Sequence, residues 1–245
     1  MLIPDGVYVL YTRFRMRFCQ ASLRNDCYIY KIFKMLLRSG ITIAFLTLIS
    51  RIFGMFRELY IAISFGTGPL ADAVNVAFKL PNLFRRIFGE GALSSVFVPI
   101  FTQKLTVSSE QSEQFASKIF CLLTMVLSII TLVMQYFMPN LMLLIAPGFN
   151  SDPEKFNHTV LLCRITMPYL IFISLSALVG GMMNSLGRFS AFAVTPVILN
   201  ICVILLPWSM GNYIEGSTVV ASSVLFAGIL QRLFMLWSFY YVSPI

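Results

Sequence analysis

Apolar residues in this chain gather into blocks of about 20 or more, the length an α-helix needs to cross the hydrocarbon core of a bilayer, and short polar connections divide them. Six spans are expected: about Ile41–Phe65, a second opening near Leu70, then about Ile119–Met138, Thr159–Met183, Phe189–Met210 and Ser217–Tyr241. The second keeps a helical pattern to Gln103, and as one straight helix it would measure roughly 50 Å against a core of about 30 Å. It must break or tilt. Pro81 lacks an amide hydrogen and clashes with the Ala77 carbonyl, and Gly89 and Gly91 weaken the helix further on. Irregular backbone at membrane depth is tolerated only against protein or a water-filled cavity, so this helix is expected to border a cleft. Strands of about 10 residues with alternating polarity, the mark of a membrane barrel, are missing.

Composition agrees. Of 245 residues 58% are apolar and 11% charged, and the mean hydropathy is +0.83, outside the range of soluble domains. The expected fold is all-α: a polytopic transmembrane helical bundle of about six spans. The net charge of +8 forms no solvated patch of the kind that binds nucleic acid, and topology explains it better. Arg13, Arg15, Arg17, Arg24, Lys31, Lys34, Arg38, Lys104, Lys118, Arg188 and Arg232 fall on the side of the N-terminus, and only Lys155 on the other. The positive-inside rule then places both termini in the cytoplasm and the connections at Ala146–Asn157 and Asn212–Gly216 outside. Residues 1–34 have neither a 20-residue apolar run nor a signal-peptide layout, and Met35 opens a more natural start. They are read as a disordered arm or a mis-set start, ahead of a six-span lobe over 35–245; the alternative is an arm that binds anionic headgroups.

Five cations lie inside the first two spans: Arg51, Arg57, Lys79, Arg85 and Arg86. Each costs about 2.5–3.5 kcal/mol near the bilayer centre unless it faces water or an anion. A purely structural role would have Glu58, Asp72 and Glu90 neutralise them in ion pairs, but three acids leave two of the five cations over. The pattern favours a site for something negative. Guanidinium groups suit a diphosphate, being always charged and binding phosphate oxygens in a bidentate fork. On an ideal helix Arg51 and Glu58 share a face, whereas Arg57 is turned about 120° from Arg51, so the two arginines need a broad cavity or different partners.

Four stretches carry a family resemblance: ISRIFGMFRE from Ile49, ADAVNVAFKLPNLFRRIFGEGALSSVFVPIF from Ala71, APGF from Ala146 and ITMPYLIFISLSALVGGMMNSLGRFSAFAVTPVILNI from Ile165. They resemble the MurJ/MviN family of bacterial lipid II flippases, in the superfamily that also holds multidrug and oligosaccharidyl-lipid exporters. The resemblance runs from about Met35 to Leu236 and implies a bacterial inner-membrane protein of peptidoglycan biosynthesis that translocates a polyprenyl-diphosphate glycolipid. It assigns Arg51, Arg57 and Arg85 to the diphosphate and matches Asp72 and Glu90 to acidic residues of the family; Glu58 stands where many members have Asp. The family has fourteen spans in two lobes plus two extra helices, so this sequence is expected to supply the first lobe of a truncated or split flippase. Membrane lipids and a second-lobe polypeptide, or a second copy of the chain, are the implied partners, and a non-functional remnant is the bland alternative.

Other chemistries fit less well. A membrane enzyme on polyprenyl phosphates needs a nucleophile, an acid/base pair or a metal cluster beside the arginines, and the acids near them are single residues with no histidine. No cofactor and no metal are expected. Cys121, Cys163 and Cys202 lie on separate spans, and Cys19 and Cys27 in the arm, without metal spacing. A drug or cation exporter would want acidic walls. No GxxxxGK[ST] loop is present, so an ion gradient or the membrane potential would drive transport. Arg164 is expected to snorkel to the headgroups, His158 to be a surface residue, and Gly180 and Gly181 to let helices pack closely.

Overall fold

The computed structural model describes residues 40–66, 68–85, 92–188, 190–210 and 216–242, with side chains at all of these but 85, 92–95, 210 and 242. Met1–Phe45 forms one compact unit and Leu46–Ile245 a second. The first is described only at residues 40–45, the opening turns of helix α1, Gly40–Phe65; everything below concerns the second. It is all-α, with no strand among the described residues. After α1 come α2 (Pro69–Arg85), α3 (Ala92–Val107), α4 (Ser109–Tyr136), α5 (Met138–Ile145), a 3-10 turn over Pro147–Ser151, α6 (Pro153–Thr166), α7 (Tyr169–Ser185), α8 (Ser190–Met210) and α9 (Gly216–Val242).

Five helical stretches among the described residues are long and apolar enough to cross a membrane: α1, α4, α6 with α7, α8 and α9. The remaining expected span appears as two shorter helices, α2 and α3. Pro81 does not end α2, which continues to Arg85, and Gly89 and Gly91 lie outside the described residues. The helix tolerates Pro81 because the carbonyl it deprives finds another donor: Thr166 Oγ1 donates to Ala77 O at 3.0 Å. The same device recurs twice. Pro168 separates α6 from α7, and the Arg164 carbonyl four residues before it accepts from Gln135 Nε2 of α4 at 3.1 Å. Pro196 sits inside α8, and Phe192 O accepts from Thr195 Oγ1 at 2.8 Å. Each proline removes one ladder bond and a side chain restores the balance.

Helix ends follow local chemistry. Gly66, at φ 63°, closes α1 in the left-handed conformation that glycine adopts without strain. Asp152 caps α6, its Oδ1 accepting from the amides of Glu154 and Lys155 at 3.1 Å each, and Pro153 occupies the first turn, where no amide is needed. α4 starts ten residues before the apolar block that predicted it, since residues 109–118 form a polar extension held by Ser109–Glu113 and Gln114–Glu110 side-chain bonds.

α7 is the central helix, buried along most of its length and packed on α9, α3, α4, α2 and α8. Gly180 and Gly181 make this possible: a Cβ at Gly180 would meet the Phe192 ring of α8 at 2.9 Å, and one at Gly181 would meet Val98 Cγ2 of α3 at 3.3 Å. Gly228 on α9 serves the same end, a Cβ there falling 2.7 Å from the Tyr169 ring and 3.2 Å from Phe172 Cβ. Exposed Leu, Ile, Phe and Val side chains cover the outer faces, and Trp237, Tyr240 and Tyr241 are exposed near the end of α9, with the Trp237 and Tyr241 ring centres 5.9 Å apart, residue types that favour a membrane–water interface.

Candidate functional site

Arg51 and Arg57 lie two turns apart on α1 and point to different surroundings. Arg51 is exposed, near the middle of the 26-residue helix, and has no hydrogen-bond or ion-pair partner among the described residues. Arg57 turns inward. Its Nη1 donates to Asn200 Oδ1 of α8 at 3.0 Å, its Nη2 pairs with Glu58, and its guanidinium lies 5.2 Å from the centre of the Phe78 ring on α2. Asn200 in turn donates Nδ2 to Ser50 O at 3.1 Å, so one buried carboxamide ties α8 to α1 and orients the arginine. Of the two arginines, set about 120° apart and expected to need a broad cavity or different partners, Arg57 has partners among the described residues and Arg51 has none.

Glu58, on the helix face shared with Arg51, pairs with its neighbour Arg57. Asp72, read as one of three acids available to the cluster, serves none of its described cations. It sits in the first turn of α2 and binds Lys155 at 2.7 Å, while the Lys155 ammonium also lies 4.0 Å from the Phe149 ring centre. Lys79 is exposed on α2 with no carboxylate partner among the described residues. Arg85 is the last residue of α2, and its side chain is outside the described residues, as are Arg86 and Glu90 altogether.

Arg164 is exposed, and its Nε donates to Gln135 O near the end of α4 at 3.3 Å. His158 is half-buried, its Nε2 2.9 Å from Ser217 Oγ of α9. Arg232, counted among the residues of the basic side, lies within α9, donates to Leu175 O at 3.0 Å and stacks 4.7 Å from the Phe120 ring centre. Cys163 and Cys202 are buried and Cys121 exposed, all as free thiols. Asn200 and Gln231 were missed. A lone Asn and a lone Gln in apolar helices carry a detectable signal, since such side chains need a partner in lipid, but nothing in the sequence says which.

Two cavities flank this arrangement. One of about 520 Å³ opens where the ends of α1, α2, α6 and α9 meet, with Phe65, Leu70 and Ala73 on one wall and Asp152, Glu154, Lys155 and His158 on the other. A smaller recess of about 240 Å³ lies beside Arg57, among α1, α2, α7, α8 and α9.

The family model of the lipid II flippase MurJ matches residues 61–242. This chain belongs to that family. It is 56% identical over 200 residues to a probable lipid II flippase MurJ of Rickettsia prowazekii, covering 82% of this chain and 39% of the relative, and 42% identical over 202 residues to that of Rhizobium meliloti, covering 80% and 38%. A solved lipid II flippase MurJ in an inward closed conformation superposes with a TM-score of 0.69 at 29% identity, over 82% of this chain and 42% of that one. A MOP superfamily transporter from Pyrococcus furiosus shares the fold, with a TM-score of 0.64 at 16% identity. The chain spans about two fifths of the length of the curated relatives it matches. Membership together with the five apolar helical stretches makes it a multi-pass membrane protein of a transporter family.

Proposed function

We propose that this chain forms one lobe of a transporter that moves lipid II, or a closely similar polyprenyl-diphosphate glycolipid, across the bacterial inner membrane, with Arg51, Arg57 and Arg85 binding the diphosphate. The observation that carries this reading is Arg51: a guanidinium near the middle of a membrane-length helix, exposed and without a carboxylate among the described residues. Such a group is tolerable only against water or an anion. Arg57 stands about two turns away, and Glu58 and Asn200 hold it in one orientation. Arg85 ends α2. The set suits two linked phosphates, which must shed water as they cross.

The second lobe, separately encoded or supplied by another copy of the chain, would close the other side of the cavity, since alternating access comes from one repeat rocking against another around a shared site. The termini face the cytoplasm, and Asp72 and Lys155 mark the outer mouth. Glu58, Lys79, Arg86 and Glu90 adjust the charge around the diphosphate. The test is replacement in a two-lobed context: Arg51→Ala, Arg57→Ala and Arg85→Ala are each expected to abolish growth of cells depleted of their own flippase while membrane insertion persists. Lysine at the same positions restores growth only partly, because it keeps the charge and loses the fork. Growth supported by all three alanine variants would make the arginines structural.

A further inference from the structure

The recess beside Arg57 contains two buried polar atoms with no partner, and they make opposite demands. Gln231 of α9 is fully buried; its Nε2 donates to Thr195 O at 2.6 Å, which fixes the amide orientation and leaves Oε1 with nothing to accept from. In the same recess Arg57 Nε is a buried donor without an acceptor, while its two terminal nitrogens each make one bond, to Asn200 and to Glu58. Both residues line the same cavity of about 240 Å³, with Asn82, Tyr169, Thr195 and Asn200 around them. Asn82 commits its amide nitrogen to Phe78 O at 2.9 Å.

The atoms select the occupant. A phosphate or carboxylate offers acceptors alone, so it would satisfy Arg57 Nε and confront the Gln231 oxygen. A metal ion would suit Gln231 Oε1 and be repelled by the guanidinium. A hydrocarbon would leave both atoms unpaired. What fits is an uncharged group that donates and accepts together, such as a sugar hydroxyl or an acetamido group. The volume is below that of drug-sized pockets and suits one ring, not a chain.

We infer that this recess is a subsite for the hydroxyl or acetamido groups of the sugar next to the diphosphate, so that Arg57 reads the glycan with its Nε and keeps for the diphosphate the terminal N–H bonds that Asn200 and Glu58 do not use. Asn82 and Gln231 are then specificity-determining residues. The inference rests on the diphosphate reading above and deepens it. Water shares the same donor and acceptor chemistry and is the competing occupant.

The experiment compares two probes on the full chain in lipid nanodiscs: a polyprenyl diphosphate, and the same lipid bearing one N-acetylated hexosamine. The wild-type chain is expected to bind the glycosylated lipid about tenfold more tightly, the effect of one or two net hydrogen bonds. Gln231→Met removes that preference and leaves affinity for the bare diphosphate unchanged. Asn82→Ala, at a half-buried wall position, reduces the preference and decides the matter should the Gln231 variant fail to fold. Equal binding of both lipids by the wild type, or a preference that survives both substitutions, overturns the subsite and leaves a recess filled with water. Binding of neither lipid overturns the diphosphate reading along with it.

Discussion

Thr166 shows how single residues hold this lobe together. Its hydroxyl is buried and supplies the Ala77 carbonyl that Pro81 cannot. Thr166→Val should therefore destabilise the folded chain by about 1–3 kcal/mol, the penalty for an orphaned buried acceptor. Pro81→Ala returns an amide to the ladder, and in that background the same valine substitution should cost much less. Thermal unfolding of the four proteins of this cycle in one detergent measures the coupling, and strictly additive effects would sink the explanation. The residues of the candidate site were unequally legible. Charged residues inside apolar blocks announce themselves, so Arg51, Arg57 and Lys79 could be named from the chain alone. Their partners could not. Glu58 turning to Arg57, Asp72 reaching Lys155 eighty-three positions away, and Asn200 meeting Arg57 across 143 positions depend on packing that no local pattern encodes.

At the scale of elements, the apolar blocks placed the long helices, because a lipid-facing helix must be apolar over its whole span. They blurred the ends and the joints. The polar first turns of α4 and α6 carry no hydrophobic signal, and the Pro168 joint lies inside an unbroken apolar run. Close approach of helices was half visible. The Gly180–Gly181 pair stands out, whereas Gly228 looks ordinary until Tyr169 and Phe172 are seen against it. Gly228→Ala should force α9 away from α7 and destabilise by about 1–3 kcal/mol, as overpacking does. Gly148→Ala, where a Cβ would meet nothing within 4 Å, is the control and should melt with the wild type. Equal melting of the two variants would mean that the α7–α9 contact is looser than its geometry.

For the molecule as a whole, the predictions concern orientation and the second lobe. On the expected topology Lys155 is the lone cation of the outer connections, and its pairing with Asp72 would sharpen the charge asymmetry. Single cysteines at Asp152, Glu110 and Ser185, in a background without native cysteines, test the orientation: an impermeant thiol reagent should label the first in intact cells and spare the other two. Labelling at 110 but not at 152 would invert it. The isolated chain should fail to restore growth of flippase-depleted cells, because its exposed Arg51 would meet lipid where the proposed second lobe would otherwise stand. Rescue by the chain, with no partner recovered after mild extraction, would point to two copies facing one another.

The side chains that replace proline-interrupted ladder bonds have a mechanical consequence. A backbone ladder resists bending because its bonds are in series with the helix itself, whereas a hydroxyl or carboxamide on a tether follows the carbonyl as it swings. At Ala77, Arg164 and Phe192 a tethered donor thus stands where a rigid backbone amide would, and a crease opened there by bending would leave no polar atom bare to oil.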